Sequence, residues 1–349
     1  MTSKPSQKTA LPIAVTMGDP AGISTEITAL SWKYIQENEN STFFIISRAS
    51  LFEEYNSSAL DKIKFETIHS PSDAPAIFPH ALPILELPEQ VEAMPGQPDP
   101  ANGEMTIKSI SMAVDFVQSN QASSLVTAPI NKHVLYQAGF EFPGHTEFLA
   151  ELAAQGQLNI QRPVMMLVSS QLRTVPLTIH IPLSEVPKAI TKQLIQETAH
   201  IISADMQKYF RLQSPKIAVA GLNPHAGENG SMGKTESEII EPALRDLKKQ
   251  GFNISGPHPA DTLFHAKARK NYDVVLGMYH DQALIPIKTL GFDEGVNTTL
   301  GLPFVRTSPD HGTAYDISGK GLANPQSLIE AIKLAKYMSD NLQRAGKDD

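Results

Sequence analysis

Residues 11–32, LPIAVTMGDPAGISTEITALSW, set the terms on which the rest of the chain is read. A short apolar run ending near Thr16 meets a Gly/Pro turn, and a helix-like stretch follows with Ser24 or Thr25 placed to cap it. The order is strand, loop, helix, and it recurs. STFFIISR is a second short strand. NGEMTIKSISMAVDFVQSN reads as a helix leading into SSLVTAPINKHVLYQAG, another strand, loop and helix. RPVMMLVSS and LRTVPLTIHIPL are strands at hairpin-like spacing. A helix over about 186–210 precedes KIAVAGLNPHAGENG, a helix from about Glu236, and the apolar run YDVVLGMYHDQ. This alternation predicts an α/β protein with a largely parallel sheet. Residues 70–103, dense in proline, predict an irregular excursion with one brief strand.

At 349 residues the chain exceeds one simple core, which predicts two domains. A charged fraction of 19% and an apolar fraction of 41% are ordinary for a folded protein. The net charge of -8 argues against non-specific nucleic-acid or anionic-membrane partners and leaves room for a local basic pocket. With no cysteine there is no disulfide framework, thiolate zinc site or cysteine nucleophile, so any transition metal must rest on histidine and carboxylates. No long apolar leader precedes the first strand and no later run reaches a membrane span of roughly 20 residues, so a cytoplasmic location is expected.

Three histidines stand at apparent strand ends: His180 after VPLTI, His225 after IAVAGLNP, and His280 after VVLGMY. Ligands of α/β sheets gather beyond the carboxyl ends of strands, so three imidazoles presented there suit one divalent ion with coordination positions left for substrate. Zinc is the first choice, with cobalt, nickel, manganese and magnesium as alternatives. Asp281 and Asp261 stand ready to orient a ligand. Taken singly, a loop histidine is more often a hydrogen-bonded surface residue, and His69, His80, His133, His200, His258 and His265 are read that way.

A second group suits an anion. FPGHTEFLAEL sets His145 and Thr146 at a helix start, where free N–H groups and the helix dipole favour negative charge; an ordinary N-cap at Thr146 is the plainer alternative. Lys288, Asn297 and Arg306 interrupt apolar stretches further on, which favours a phosphate or carboxylate partner over solvated surface charge. A metal site and an anion pocket together suit a small phosphorylated substrate with a chelating group.

GDPAGIS, TAPINK, PGHTEFLAE, GLNPHAGENG, ADTLF, MYHDQALIPIK and GVNTTLGLPFVRTSPDHGTA, in that order, resemble the 4-hydroxythreonine-4-phosphate dehydrogenase family of vitamin B6 biosynthesis, from about Ile13 to about Ala331. The resemblance implies the two-domain isocitrate/isopropylmalate dehydrogenase-like fold with the active site in a cleft between domains: residues 1–130 plus 300–349 in one, 131–299 in the other. It implies a homodimer whose site is shared across the interface. His180, His225 and His280 match the family's metal ligands; His145, Thr146, Lys288, Asn297 and Arg306 match its substrate-binding positions. DHGTAYDISGKGLANPQSLIEAI resembles the adenosine-binding segment of the decarboxylating dehydrogenases, which implies His311, Gly312, Thr313 and Asp316 near NAD or NADP. The implied reaction oxidises 4-phosphohydroxy-L-threonine to a β-keto acid that loses carbon dioxide. Lys132, Asp261 and Lys288 each qualify as general base. One departure stands out: Ser24 and Thr25 occupy the place of the family's usual Gly-Pro pair.

Three rival readings stay open at this stage: a paralogous dehydrogenase of 4-phospho-D-threonate or 4-phosphoerythronate, a His-ligated metal aldolase or hydrolase, and a two-domain binding protein without chemistry. The aldolase or hydrolase leaves the adenosine-like segment without a purpose.

Overall fold

The first strand, β1 (Ile13–Thr16), is buried along its whole length, as a strand covered on both faces of a parallel sheet must be. The computed structural model describes residues 10–54, 63–142, 144–154 and 161–348. Eleven more strands follow among them: β2 (Phe43–Ser47), β3 (Phe65–Ile68), β4 (Leu82–Glu86), β5 (Leu125–Val126), β6 (Val164–Val168), β7 (Arg173–Pro176), β8 (Ile217–Ala220), β9 (Ile254–His258), β10 (Val274–Gly277), β11 (Val296–Leu300) and β12 (Arg306–Pro309).

The chain divides into two compact units, one of Met1–Gly156 with Phe304–Ser339, the other of Gln157–Pro303 with Asp340–Asp349. Residues 131–156, expected in the second domain, lie in the first unit: the helix Lys132–Gln137 packs on the helix Gly103–Gln118 beside β1. The strand order of the first unit is β3-β4-β2-β1-β5-β12, and neighbouring strands are parallel throughout. Its core is apolar from strand to strand, with Phe43 meeting Phe78 edge-on at 5.1 Å. The brief strand expected in the proline-rich excursion is β4, inside this sheet.

The second unit runs β11-β6-β7-β10-β8-β9. Strands β7, β10, β8 and β9 are parallel, whereas β6 is antiparallel to both β7 and β11. The hairpin-like spacing of β6 and β7 thus reads correctly, because a short connection permits only antiparallel pairing.

Two local expectations fail for identifiable reasons. The first helix spans Ser24–Asn38, yet neither Ser24 nor Thr25 caps it. Ser24 is buried and directs its hydroxyl to Pro129 O at 3.5 Å, while the Ile23 N–H is taken by Thr313 O at 3.0 Å. The helix expected over 186–210 is two helices, Val186–Ala189 and Lys192–Phe210. Ile190 is extended, and Thr191 starts the second helix by accepting Leu194 N at 3.0 Å. Among the described residues no helix is long and apolar enough to cross a membrane.

Candidate active site

Parallel neighbours β7, β10 and β8 end on one edge of the second unit, and each is followed by one of the three histidines. Buried side chains staple those ends together. Thr178 Oγ1 donates to Met278 O at 2.8 Å, and the Gln282 amide accepts Met278 N and donates to Gly221 O, both at 2.7 Å. The apolar run before His280 stops at Gly277, and His280 opens the helix His280–Leu290 rather than closing a strand. Its Nδ1 lies 2.8 Å from Asp281 Oδ1, which leaves Nε2 to face a ligand.

His180 and His280 have ring centroids 5.8 Å apart and share a pocket of about 270 Å³ with Thr178, Tyr279 and Asp281. Lys288 lines a second pocket of about 510 Å³ with His280 and Asp281, its ammonium 5.6 Å from the Phe292 ring centroid. His225 is exposed on the loop after β8, and among the described residues no group of three or more His, Asp or Glu stands close enough to hold one ion. The structure therefore brings together two of the three expected ligands and sets the third beyond the adjoining strand. Asp261, beyond β9 in the short helix Ala260–Leu263, is exposed. Asn297 in β11 has its Oδ1 buried with no hydrogen-bond partner.

Three imidazoles are donors that suit a divalent cation, and the backbone is strained at two of them. His180 and His225 both sit at positive φ, 52° and 51°, where a residue with a side chain stays only when its surroundings hold it. The loop bearing His225 is wound left-handed over five consecutive residues, His225 to Asn229. Four of them are not glycine, and each costs roughly 1–2 kcal/mol in that conformation. Strain on that scale concentrates at functional sites.

The first unit gathers the basic groups. Arg306 in β12 is 3% exposed and directs Nε and Nη2 to Thr127 Oγ1 at 3.1 and 2.6 Å. Burial pushes its guanidinium down to about 10, so it is cationic at neutral pH. His145 opens the helix His145–Ala154, and its Nε2 is buried with no hydrogen-bond partner. Desolvation, then the charges of Arg306 and Lys132, holds its imidazole well below 6.5. Lys132 begins the helix Lys132–Gln137 and reaches towards the same place: a methyl on Gly144 would lie 3.2 Å from its Nζ. Thr146 is inside the first turn, and Phe148 N bonds Gly144 O, so the threonine is not the cap. An open imidazole nitrogen, a guanidinium and an ammonium at a helix start are the kinds of group that receive an anion.

The segment His311–Asp316 is tied to the first loop of the same unit. Thr313 O lies so close to Gly22 that a methyl there would meet it at 2.8 Å. Tyr315 donates its hydroxyl to Asp19 Oδ2 at 2.6 Å, and Ser318 donates to Ala21 O at 2.8 Å. Asp19 also accepts Ala21 N and is raised above its ordinary value, burial outweighing these bonds. His311 turns Nδ1 to Gly312 O at 2.9 Å and buries Nε2 without a partner; Gly312 and Asp316 are exposed. Asp19, Tyr315 and Thr127 were not singled out from the sequence, where the only signal was a Gly-Asp-Pro at a strand end.

Dehydrogenases stand among the solved structures that this one resembles. The chain is 33% identical to 4-hydroxythreonine-4-phosphate dehydrogenase from Klebsiella pneumoniae, with TM-score 0.83 over 95% of this chain and 100% of that one. It is 25% identical to a terephthalate 1,2-cis-dihydrodiol dehydrogenase from Burkholderia xenovorans LB400, with TM-score 0.62 over 94% and 98%. Among curated relatives, 4-hydroxythreonine-4-phosphate dehydrogenase of Methylorubrum extorquens is 50% identical over 94% of both chains, and that of Caulobacter vibrioides 48% identical over 94% and 97%. The chain belongs to the family described as pyridoxal phosphate biosynthetic protein PdxA, whose model matches residues 39–335.

Proposed function

We propose that the chain oxidises the C3 alcohol of 4-phosphohydroxy-L-threonine, giving 2-amino-3-oxo-4-phosphonooxybutyrate, which loses carbon dioxide to yield 3-amino-2-oxopropyl phosphate for pyridoxal phosphate synthesis. The observation that carries this reading is the basic receptor of Arg306, His145 and Lys132, in a chain half identical to dehydrogenases named for that phosphorylated substrate. The reading includes NAD or NADP, a divalent cation, and a homodimer that completes the site.

Arg306 and Lys132 neutralise the phosphate or carboxylate. His145, neutral at pH 7, offers its open Nε2 as a hydrogen-bonding group without adding charge. His180, His225 and His280 would hold the cation, with Asp281 orienting His280. The nicotinamide would supply the hydride acceptor for C3, and a cation on these imidazoles would supply the Lewis acidity that favours loss of the alcohol proton and of carbon dioxide. Lys132, Asp261 and Lys288 remain the candidates to take the alcohol proton. The Thr313 carbonyl, which accepts Ile23 N, and the Tyr315 hydroxyl, which donates to Asp19, tie the proposed cofactor-binding segment to the first loop.

The test is reduced-cofactor absorbance with 4-phosphohydroxy-L-threonine, using untreated, chelator-treated and zinc- or cobalt-restored protein, with Arg306→Met alongside. We expect activity that disappears with the metal and returns with it, and a KM raised about 10- to 100-fold in the variant, the loss of a charged hydrogen bond. Turnover of 4-phospho-D-threonate but not of phosphohydroxythreonine would overturn the substrate; turnover indifferent to chelation would overturn the cation.

A further inference from the structure

The left-handed turn from His225 to Asn229 needs an anchor, and the structure supplies one outside the turn. Glu236 is 2% exposed at the start of a π-helical turn, Glu236–Ile240, a departure from the α-helix that often marks functional segments. Its carboxylate takes two hydrogen bonds from a single residue: Asn223 N donates to Oε1 at 2.7 Å and Asn223 Nδ2 donates to Oε2 at 2.9 Å. Asn223 in turn receives Ala226 N on its carbonyl at 3.1 Å, across His225. The same carboxylate lies against the turn's backbone, since a methyl on Gly227 would meet Oε2 at 2.7 Å and one on Gly221 would meet Oε1 at 3.2 Å.

We propose that Glu236 is a positioning residue for His225: by fixing Asn223 it holds the left-handed turn and so the direction in which the His225 imidazole is offered to a divalent cation. This rests on the reading of His225 as a metal ligand. Glu236 has both carboxylate oxygens engaged by Asn223. It acts as outer-shell carboxylates do, through the ligand it orients, and its removal weakens metal affinity about 10- to 100-fold.

The experiment is titration with Co²⁺, read by visible absorbance and equilibrium dialysis, on the full chain as wild type, Glu236→Ala, Glu236→Gln, Gly227→Ala and Leu247→Ala. Leu247 is buried in the helix that continues from the π turn, so its truncation is the control for stability alone. We expect wild type to bind one Co²⁺ per chain, Glu236→Ala to bind at least tenfold more weakly, and Glu236→Gln, which keeps one acceptor for Asn223, to fall between. Gly227→Ala, which sets a methyl against the carboxylate, should weaken binding as well. Leu247→Ala should lower the melting temperature and leave affinity within twofold. Should Glu236→Ala fail to fold, the other two loop variants decide. Loop-variant affinities within twofold of wild type, or an equal loss in Leu247→Ala, overturn the positioning role while leaving the metal reading in place. A wild type that binds no Co²⁺ overturns both.

Discussion

His145 carries the most informative single prediction. Its imidazole is held well below 6.5 by burial and by the two cations beside it, so the folded protein leaves it neutral at a pH where the unfolded chain protonates it. Below 6.5 the unfolded state therefore binds more protons, and this residue's contribution, full above 6.5, is lost as pH falls towards the folded value. The melting temperature should decline from pH 7 to pH 5, and His145→Gln should flatten the decline. Inorganic phosphate seated on the receptor should raise the His145 pKa, which histidine NMR would read; an unchanged shift with saturating phosphate would count against the receptor. His145 and Arg306 were legible in the sequence because glycines and apolar runs isolate them. Asp19 and Tyr315 were not, because their hydrogen bond joins residues 296 apart and neither stands out locally.

Within elements, the helix Lys192–Phe210 shows how burial alone changes a residue's chemistry. Asp205 is buried there and accepts Gly301 N at 2.7 Å, while desolvation raises it from 3.8 to about 6 against the opposing pull of that bond and of Lys208. Between those values the folded state holds the extra proton, so stability from this group is full below 3.8 and is lost as pH rises through about 6. Asp205→Asn keeps an acceptor for Gly301 and removes the buried charge. We expect it to stabilise the protein at pH 7.5 by no more than about 3 kcal/mol and to confer little at pH 4, measured by urea midpoints at both. Strands β1, β2, β5, β8 and β10 were readable because parallel strands buried on both faces are apolar throughout, whereas β3, β9, β11 and β12, which carry polar residues, glycine or proline, were not. The break at Ile190 was not, since the apolar spacing runs across it and only Thr191's bond to Leu194 N reveals the restart.

For the whole molecule, the proposed homodimer has a direct test. Leu183 and Ile285 are 67% and 62% exposed and line the two pockets beside His280. Glutamate at both positions should shift sedimentation from a two-chain to a one-chain mass and reduce activity with it; an unchanged mass would remove this face from the assembly. The α/β class and the existence of two units were legible from length and alternation, but the boundary near 156 was not, because it depends on which sheet the residues after β5 pack against, and spacing carries no such information. The discontinuity of the first unit has a consequence in time. All six strands of the second unit are made between Val164 and Leu300, before β12 leaves the ribosome. The middle of the chain can close its own sheet while the earlier one still lacks its last strand, reversing the usual order in which domains fold as they are synthesised. Arg306 must then find Thr127 across 179 residues, so the two halves of the proposed anion receptor meet only after the middle unit has been made.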